Sequence, residues 1–234
     1  MVQVLADLGI ANPSVREKNV ERIQRFLTSP IGRKVMMGLT GLLLILFLVG
    51  HLVGNLLLFK GSADFNNYSR TLLSTWLIYP VEIGLLVMFL YHAVSGVAVW
   101  WTARTTNPTP YDIKVSRMSP ASRKGFSSST MIYTGVIVLL FLAVHLITLK
   151  WGGDGGKFRD LAGDVKSMFK NPVWVGVYVV CMAVLGLHLF HGFGSAFESL
   201  GFRHRNWLRR TTQAVTVVLS GAFLLIPVLV MAFF

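Results

Sequence analysis

Residues 35–59 read VMMGLTGLLLILFLVGHLVGNLLLF, twenty-five positions without a lysine, arginine or carboxylate, bounded by Lys34 and Lys60. About 20 such residues carry an α-helix across a bilayer, so this run is long enough to span one. In hydrocarbon the backbone must satisfy its own N–H and C=O groups, which makes the run a helix. One ionisable side chain, His51, interrupts it. The reading of the whole chain turns on what that histidine does there.

Working outward, five apolar runs are found, at about 33–59, 76–103, 127–150, 172–197 and 212–234. Composition agrees: 53% of the residues are hydrophobic, 14% are charged, and the mean hydropathy is +0.61. A water-soluble domain carries a larger charged share on its surface. The expected fold is therefore all-α, a polytopic bundle of five transmembrane helices forming one membrane domain over 33–234. Residues 1–32 form a separate N-terminal segment. There Val20, Ile23, Phe26 and Leu27 share a helical face beside Arg16, Lys18, Arg22 and Arg25, which predicts an amphipathic helix on the membrane surface. With Asp7, Arg16, Glu17 and Lys18, the start of the chain lacks the apolar core of a signal peptide.

Ser29-Pro30 and Asn171-Pro172 each place a proline in the first turn of a helix, and Pro227 should bend the fifth. Pro108, Pro110 and Pro120 make 104–126 a loop. The 151–171 connection opens with Gly152-Gly153-Asp154-Gly155-Gly156, and its remainder, from Phe158 to Phe169, can form a short interfacial helix. No internal repeat is apparent.

The net charge of +12 sits in short segments between the apolar runs. That placement suits lipid headgroups and orientation, not nucleic acid. Lys and Arg number six through Lys34, five in 104–124 and four in 203–210, against two (Lys60, Arg70) and five (150–170) on the other side. Fifteen against seven predicts a cytoplasmic N-terminus and an external C-terminus, in the cytoplasmic (inner) membrane.

A single cysteine, Cys181, rules out an internal disulfide, a CxxCH haem attachment and an iron–sulfur cluster. Any metal must be held mainly by histidine. Of six histidines (His51, His92, His145, His188, His191 and His204), five lie within predicted spans. One buried histidine can be structural glue between helices. One or two on each of the first four helices point to function.

Depth groups them. His51 lies 18 residues beyond Arg33 and His145 19 beyond Phe126, both towards the outer face. His92 lies 12 before Arg104, and His188 and His191 lie 15 and 12 before Arg203, in the inner half. The result is two facing pairs, His51 with His145 and His92 with His188 or His191, at levels roughly 10 Å apart. Depth alone slightly prefers His191. Two stacked bis-histidine haems fit that pattern. A zinc centre would need three or four converging ligands, and a proton relay would chain histidine with acids. Acids in the spans are limited to Glu82 and Glu198. Gly38, Gly41, Gly50, Gly54, Gly96, Gly192 and Gly194 could admit a flat macrocycle, though tight helix packing explains them more simply.

These residues resemble a known family. Ser29-Pro30-Ile31-Gly32-Arg33-Lys34 leading to Gly50-His51-Leu52-Val53-Gly54-Asn55 is similar to the opening of the cytochrome b558-type subunit of succinate dehydrogenase and fumarate reductase. The similarity continues through Phe65-Asn66-Asn67-Tyr68, Leu90-Tyr91-His92-Ala93, Thr134-Gly135, Val144-His145-Leu146 and His188-Leu189-Phe190-His191-Gly192, roughly residues 29–204. It implies five membrane helices and two haem b groups, with ligands His51, His92, His145 and, four residues before Gly192 and seven before Ser195, His188. His191 would then bond a propionate or line the inner surface. Arg33, Lys34, Arg104 and Arg123 are candidates for pairing with haem propionates. Asp64, Tyr68 and Glu82 are candidates for a quinone site near the outer haem, beside their simpler reading as interfacial anchors.

The resemblance further implies electron transfer between an iron–sulfur subunit and a quinone, menaquinone by analogy, within membrane lipid. A flavoprotein subunit would hold the succinate or fumarate site. The direction of catalysis and the oligomeric state, a homo-oligomer included, stay open. The rival expectations are a dihaem cytochrome b of a hydrogenase or formate dehydrogenase, and a haem-free small transporter or anchor.

Overall fold

At Ser29 the chain turns from a surface helix into its first long apolar one. The Ser29 hydroxyl accepts from the Gly32 N–H at 3.0 Å, and Pro30 occupies the first turn, where a backbone donor is not needed. The structure is a computed structural model and describes residues 13–105, 130–152, 159–202 and 206–234. Before Ser29 lies α1 (Pro13–Thr28), and after it α2 (Pro30–Lys60). There follow α3 (Ser62–Ser74), α4 (Ile78–Thr105), α5 (Met131–His145), α6 (Leu161–Phe169), α7 (Pro172–Ser199) and α8 (Asn206–Phe233). A π-helical segment, Leu146–Lys150, continues α5. Among the described residues there is no strand.

Among the described residues five helices are long and apolar enough to cross a membrane: α2, α4, α5 with its π segment, α7 and α8. The chain is an all-α polytopic membrane protein. Helix ends depart from expectation by a few residues, most at α8, which takes the exposed Arg209 and Arg210 into its first turns. Extra turns beyond the hydrocarbon cost nothing when their side chains stay in water. In the same way α4 runs through Arg104 to Thr105, and the rest of the expected 104–126 loop lies outside the described residues. The short interfacial helix is α6, capped by Asp160, whose carboxylate accepts from the Gly163 N–H at 3.0 Å. The surface helix is α1, with Val20, Ile23, Phe26 and Leu27 exposed. One helix, α3, was not anticipated.

The order long–short–long occurs twice, as α2-α3-α4 and as α5-α6-α7, with α8 packed on α7. The residues repeat as well, which corrects the expectation of no repeat. Thr40-Gly41 stands eleven residues before His51, and Thr134-Gly135 stands eleven before His145. Phe47 and Phe141 each precede their histidine by four. On the returning helices, His92 and His188 each precede a glycine by four, Gly96 and Gly192. Interchanged Leu, Ile and Val between these landmarks hide a spacing of 94 residues (Thr40 to Thr134, His51 to His145). The halves interlock at the centre. Helices α2 and α7 pack together, α4 lies on α2, α5 lies on α7, and α3 meets α6. Gly38 sets the closest approach, since a Cβ there would lie 3.2 Å from the Ala196 carbonyl oxygen on α7.

Candidate functional site

The repeat brings its histidines together in two pairs. His51 on α2 faces His145 on α5 with ring centres 5.8 Å apart, and His92 on α4 faces His188 on α7 at 6.3 Å. Each pair takes one ring from each half. The ring that faces His92 is that of His188, and among the described residues no ring contact joins His191 to His92. His92 lies against Gly41, ten residues before His51, which separates the levels by about 15 Å at the helical rise. That exceeds the spacing inferred from loop ends, because α2 itself passes both levels and is the better ruler.

At the first level, threonine and glycine seat the rings. His92 Nδ1 lies 3.2 Å from the Met37 carbonyl oxygen, which can only accept. Nδ1 therefore carries the hydrogen, and Nε2 keeps its lone pair. Thr40 Oγ lies 3.5 Å from the same Nδ1, while its own hydroxyl donates to the Met36 carbonyl at 2.8 Å. His188 is held alike on α5: Thr134 Oγ is 3.1 Å from Nδ1, and the Met131 carbonyl faces the ring. A Cβ on Gly41 would come within 3.2 Å of His92 Cε1, and one on Gly135 within 3.4 Å of His188 Cε1. The missing side chains let each imidazole approach the neighbouring helix closely.

At the second level, aromatic rings do the seating. Phe47 stacks on His51 at 5.5 Å, and Phe223 of α8 approaches it at 5.9 Å. Phe141 lies 5.6 Å from His145, whose Nδ1 is 3.2 Å from the Tyr178 hydroxyl. Tyr178 is itself gripped edge-on by Phe141 and Phe169. No hydrogen bond of the His51 ring is found among the described residues. Thr40, Thr134 and Tyr178 carry no role in the sequence reading, although Thr40 and Thr134 share one spacing from a histidine.

What these pairs can hold follows from their number and spacing. Among the described residues no group of three histidine, cysteine or carboxylate side chains converges, so each level offers two nitrogen ligands. Imidazoles bound from opposite sides at about 2 Å per bond bring ring centres about 6 Å apart, the spacing of both pairs. Three of the four rings engage Nδ1 and leave Nε2 free to bind. Two neutral imidazoles per ion suit an iron whose other positions are filled by a macrocycle. The residues present fit haem.

The remaining candidates disperse. Arg33 and Lys34 make no side-chain hydrogen bond or ion pair among the described residues, Arg104 lies over the Trp100 ring at 4.8 Å, and Arg123 lies outside the described residues. Asp64 pairs with exposed Lys60 at 3.1 Å, a contact worth little in water. Tyr68 packs over Gly54, where a Cβ would lie 2.7 Å from its ring. Glu82 forms an ion pair with Lys150, tying α4 to the π segment. The three quinone candidates thus have separate partners. None lines the cleft of about 310 Å³ formed by Thr148, Leu149, Arg159, Asp164, Met168 and Trp174, one turn past His145.

Compared with family models, with curated proteins and with solved structures, the chain finds no match in any of the three.

Proposed function

We propose that this chain is the dihaem cytochrome b anchor of a succinate:quinone oxidoreductase, passing electrons between an iron–sulfur subunit and membrane quinone. The observation that carries the reading is the pair of facing imidazoles at each of two levels, one from each half of the repeat. His92 and His188 would hold one haem b, and His51 and His145 the other. Bound haem supplies reversible one-electron chemistry. The chain's own part would be to supply two imidazoles for each haem, to hold Nδ1 of His92 and His188 protonated so that Nε2 is free to bind, and to keep water away with apolar helices. Stacked along the bundle, the two levels lead from one membrane face towards the other.

Fifteen basic residues against seven support a cytoplasmic N-terminus, in a protein of the cytoplasmic membrane. The His92/His188 level then lies nearer the face where the iron–sulfur and flavoprotein subunits dock. The His51/His145 level lies nearer the outer side, where quinone, menaquinone by resemblance, would react. The motif order from Ser29 to His204 favours this family over a dihaem cytochrome of a hydrogenase or formate dehydrogenase. Parallel repeats also build transporters, so the repeat by itself favours neither class. A transporter or bare anchor has no use for four histidines paired ring to ring.

The test is a reduced-minus-oxidised spectrum with haem quantification on the purified chain. Two non-covalent b haems per chain are expected. A folded, freshly purified chain without haem sinks the proposal.

A further inference from the structure

We infer that Thr40 and Thr134 are positioning residues, fixing the tautomer and ring plane of His92 and His188 through Nδ1. The role rests on the dihaem reading above. Both threonines are buried, each 6% exposed, in helices whose interior is otherwise almost wholly apolar. A lone threonine in such a helix needs no partner beyond a carbonyl one turn back, and both make that bond. That bond explains a threonine but not why each also points a lone pair at an imidazole of a different helix. The arrangement occurs twice, at the same position of each half, and each time a glycine follows that lets the ring lie close.

The chemistry follows from which atom is engaged. A hydrogen bond accepted from Nδ1–H fixes which nitrogen binds metal and makes Nε2 the stronger electron donor. A stronger donor favours the ferric iron, so loss of the hydroxyl should raise that haem's potential. Thr134, at 3.1 Å, acts strongly. Thr40, at 3.5 Å, is near the limit of a hydrogen bond, and His92 retains the Met37 carbonyl without it. Thr134 should therefore matter more than Thr40.

The experiment compares Thr134→Val, Thr40→Val, Thr134→Ala and both serine variants of the full chain, each checked for folding by helical circular dichroism. Haem per chain, the two low-spin ferric EPR signals and a redox titration are read. In Thr134→Val and Thr134→Ala, one EPR signal should shift its largest g value and the potential of that haem should rise. Its retention against a haem-scavenging apoprotein should fall about tenfold. Thr40→Val should move the same signal less, serine should restore it, and the signal lost in His51→Ala should stay put. Two haems with signals and potentials unmoved in both hydroxyl-free Thr134 variants overturn the positioning role alone. Failure of serine to restore also overturns it, by assigning the effect to packing. A wild-type chain without haem overturns the dihaem reading and the positioning role with it.

Discussion

The two histidine levels use the same residue type on equivalent helices, yet they are built differently. At the His92/His188 level the halves match: each ring has a carbonyl, a threonine hydroxyl and a glycine. At the His51/His145 level they diverge. His145 bonds the Tyr178 hydroxyl, whereas His51 lies between Phe47 and Phe223 with no ring hydrogen bond among the described residues. The repeat is faithful where only its own four long helices reach the ring. It breaks where an added element intrudes, since Phe223 belongs to α8, which has no counterpart in the other half. A repeated frame thus supplies two like pairs of histidines and two unlike surroundings, one hydrogen-bonded and one largely aromatic.

The largest effect should come from removing the proposed ligands. His92→Ala or His188→Ala should reduce two haems per chain to one, and His51→Ala or His145→Ala should do the same while deleting the other EPR signal. His191→Ala should retain both. Haem loss in His191→Ala with both haems kept in His188→Ala would break the comparison, because the threonine–glycine seat would then hold a ring that binds nothing.

The choice between those two histidines shows what the sequence could and could not reveal. The five spans were legible because hydrocarbon tolerates so few charges, and the two levels because each histidine could be ranged against the nearby end of its apolar run, marked by Arg33, Arg104 or Arg203 and, for His145, by Phe126. Depth measured back from Arg203 nonetheless tilted towards His191. Helix α7 stops at Ser199, and Gly201 leaves the helical path at φ +97°, so residues 200–202 add chain without adding helical rise. Measured from the true helix end, His188 moves to the level of His92. Helix α3 escaped notice because only Phe65 and Asn66 of it are buried, too few to mark a helical period. The repeat was hidden by aliphatic exchange. Its visible landmarks, Thr-Gly and histidine, are polar or side-chain-free positions that aliphatic exchange does not blur.

A smaller effect should sharpen the contrast between levels. Asn66 of α3 donates to the Asp160 carboxylate at 2.7 Å and accepts from the buried Ala162 N–H at 2.9 Å, strapping α3 to α6. Asn66→Leu keeps the bulk and strands that N–H, at a cost of about 1–3 kcal/mol. A lower thermal midpoint of the purified chain is expected. Phe169 of α6 touches Tyr178, which touches His145, so the EPR signal of the aromatic level should broaden while the threonine-held signal stays sharp. An unchanged midpoint would show that the strap is incidental.

The smallest effect lies in the same strap and depends on pH. The Asn66 amide, then the Gly163 N–H, hold the Asp160 carboxyl below its usual range, because both donate to the charged form. A carboxyl whose pKa is depressed on folding stabilises the fold above its unfolded value of about 4, and that contribution fades as pH falls through the lower folded value. Asp160 is exposed, so water screens the effect, and it should appear only as a modest difference between chains. Asp160→Asn can still accept from both donors but cannot titrate. Thermal midpoints of the two chains compared from pH 6 down to pH 3 should therefore converge, the wild type losing more than the variant. Parallel loss in both would mean that other carboxylates dominate acid sensitivity at this end of the bundle. The aromatic level would then be secured by the rings of Phe169 and Tyr178 alone, without help from the charge on Asp160.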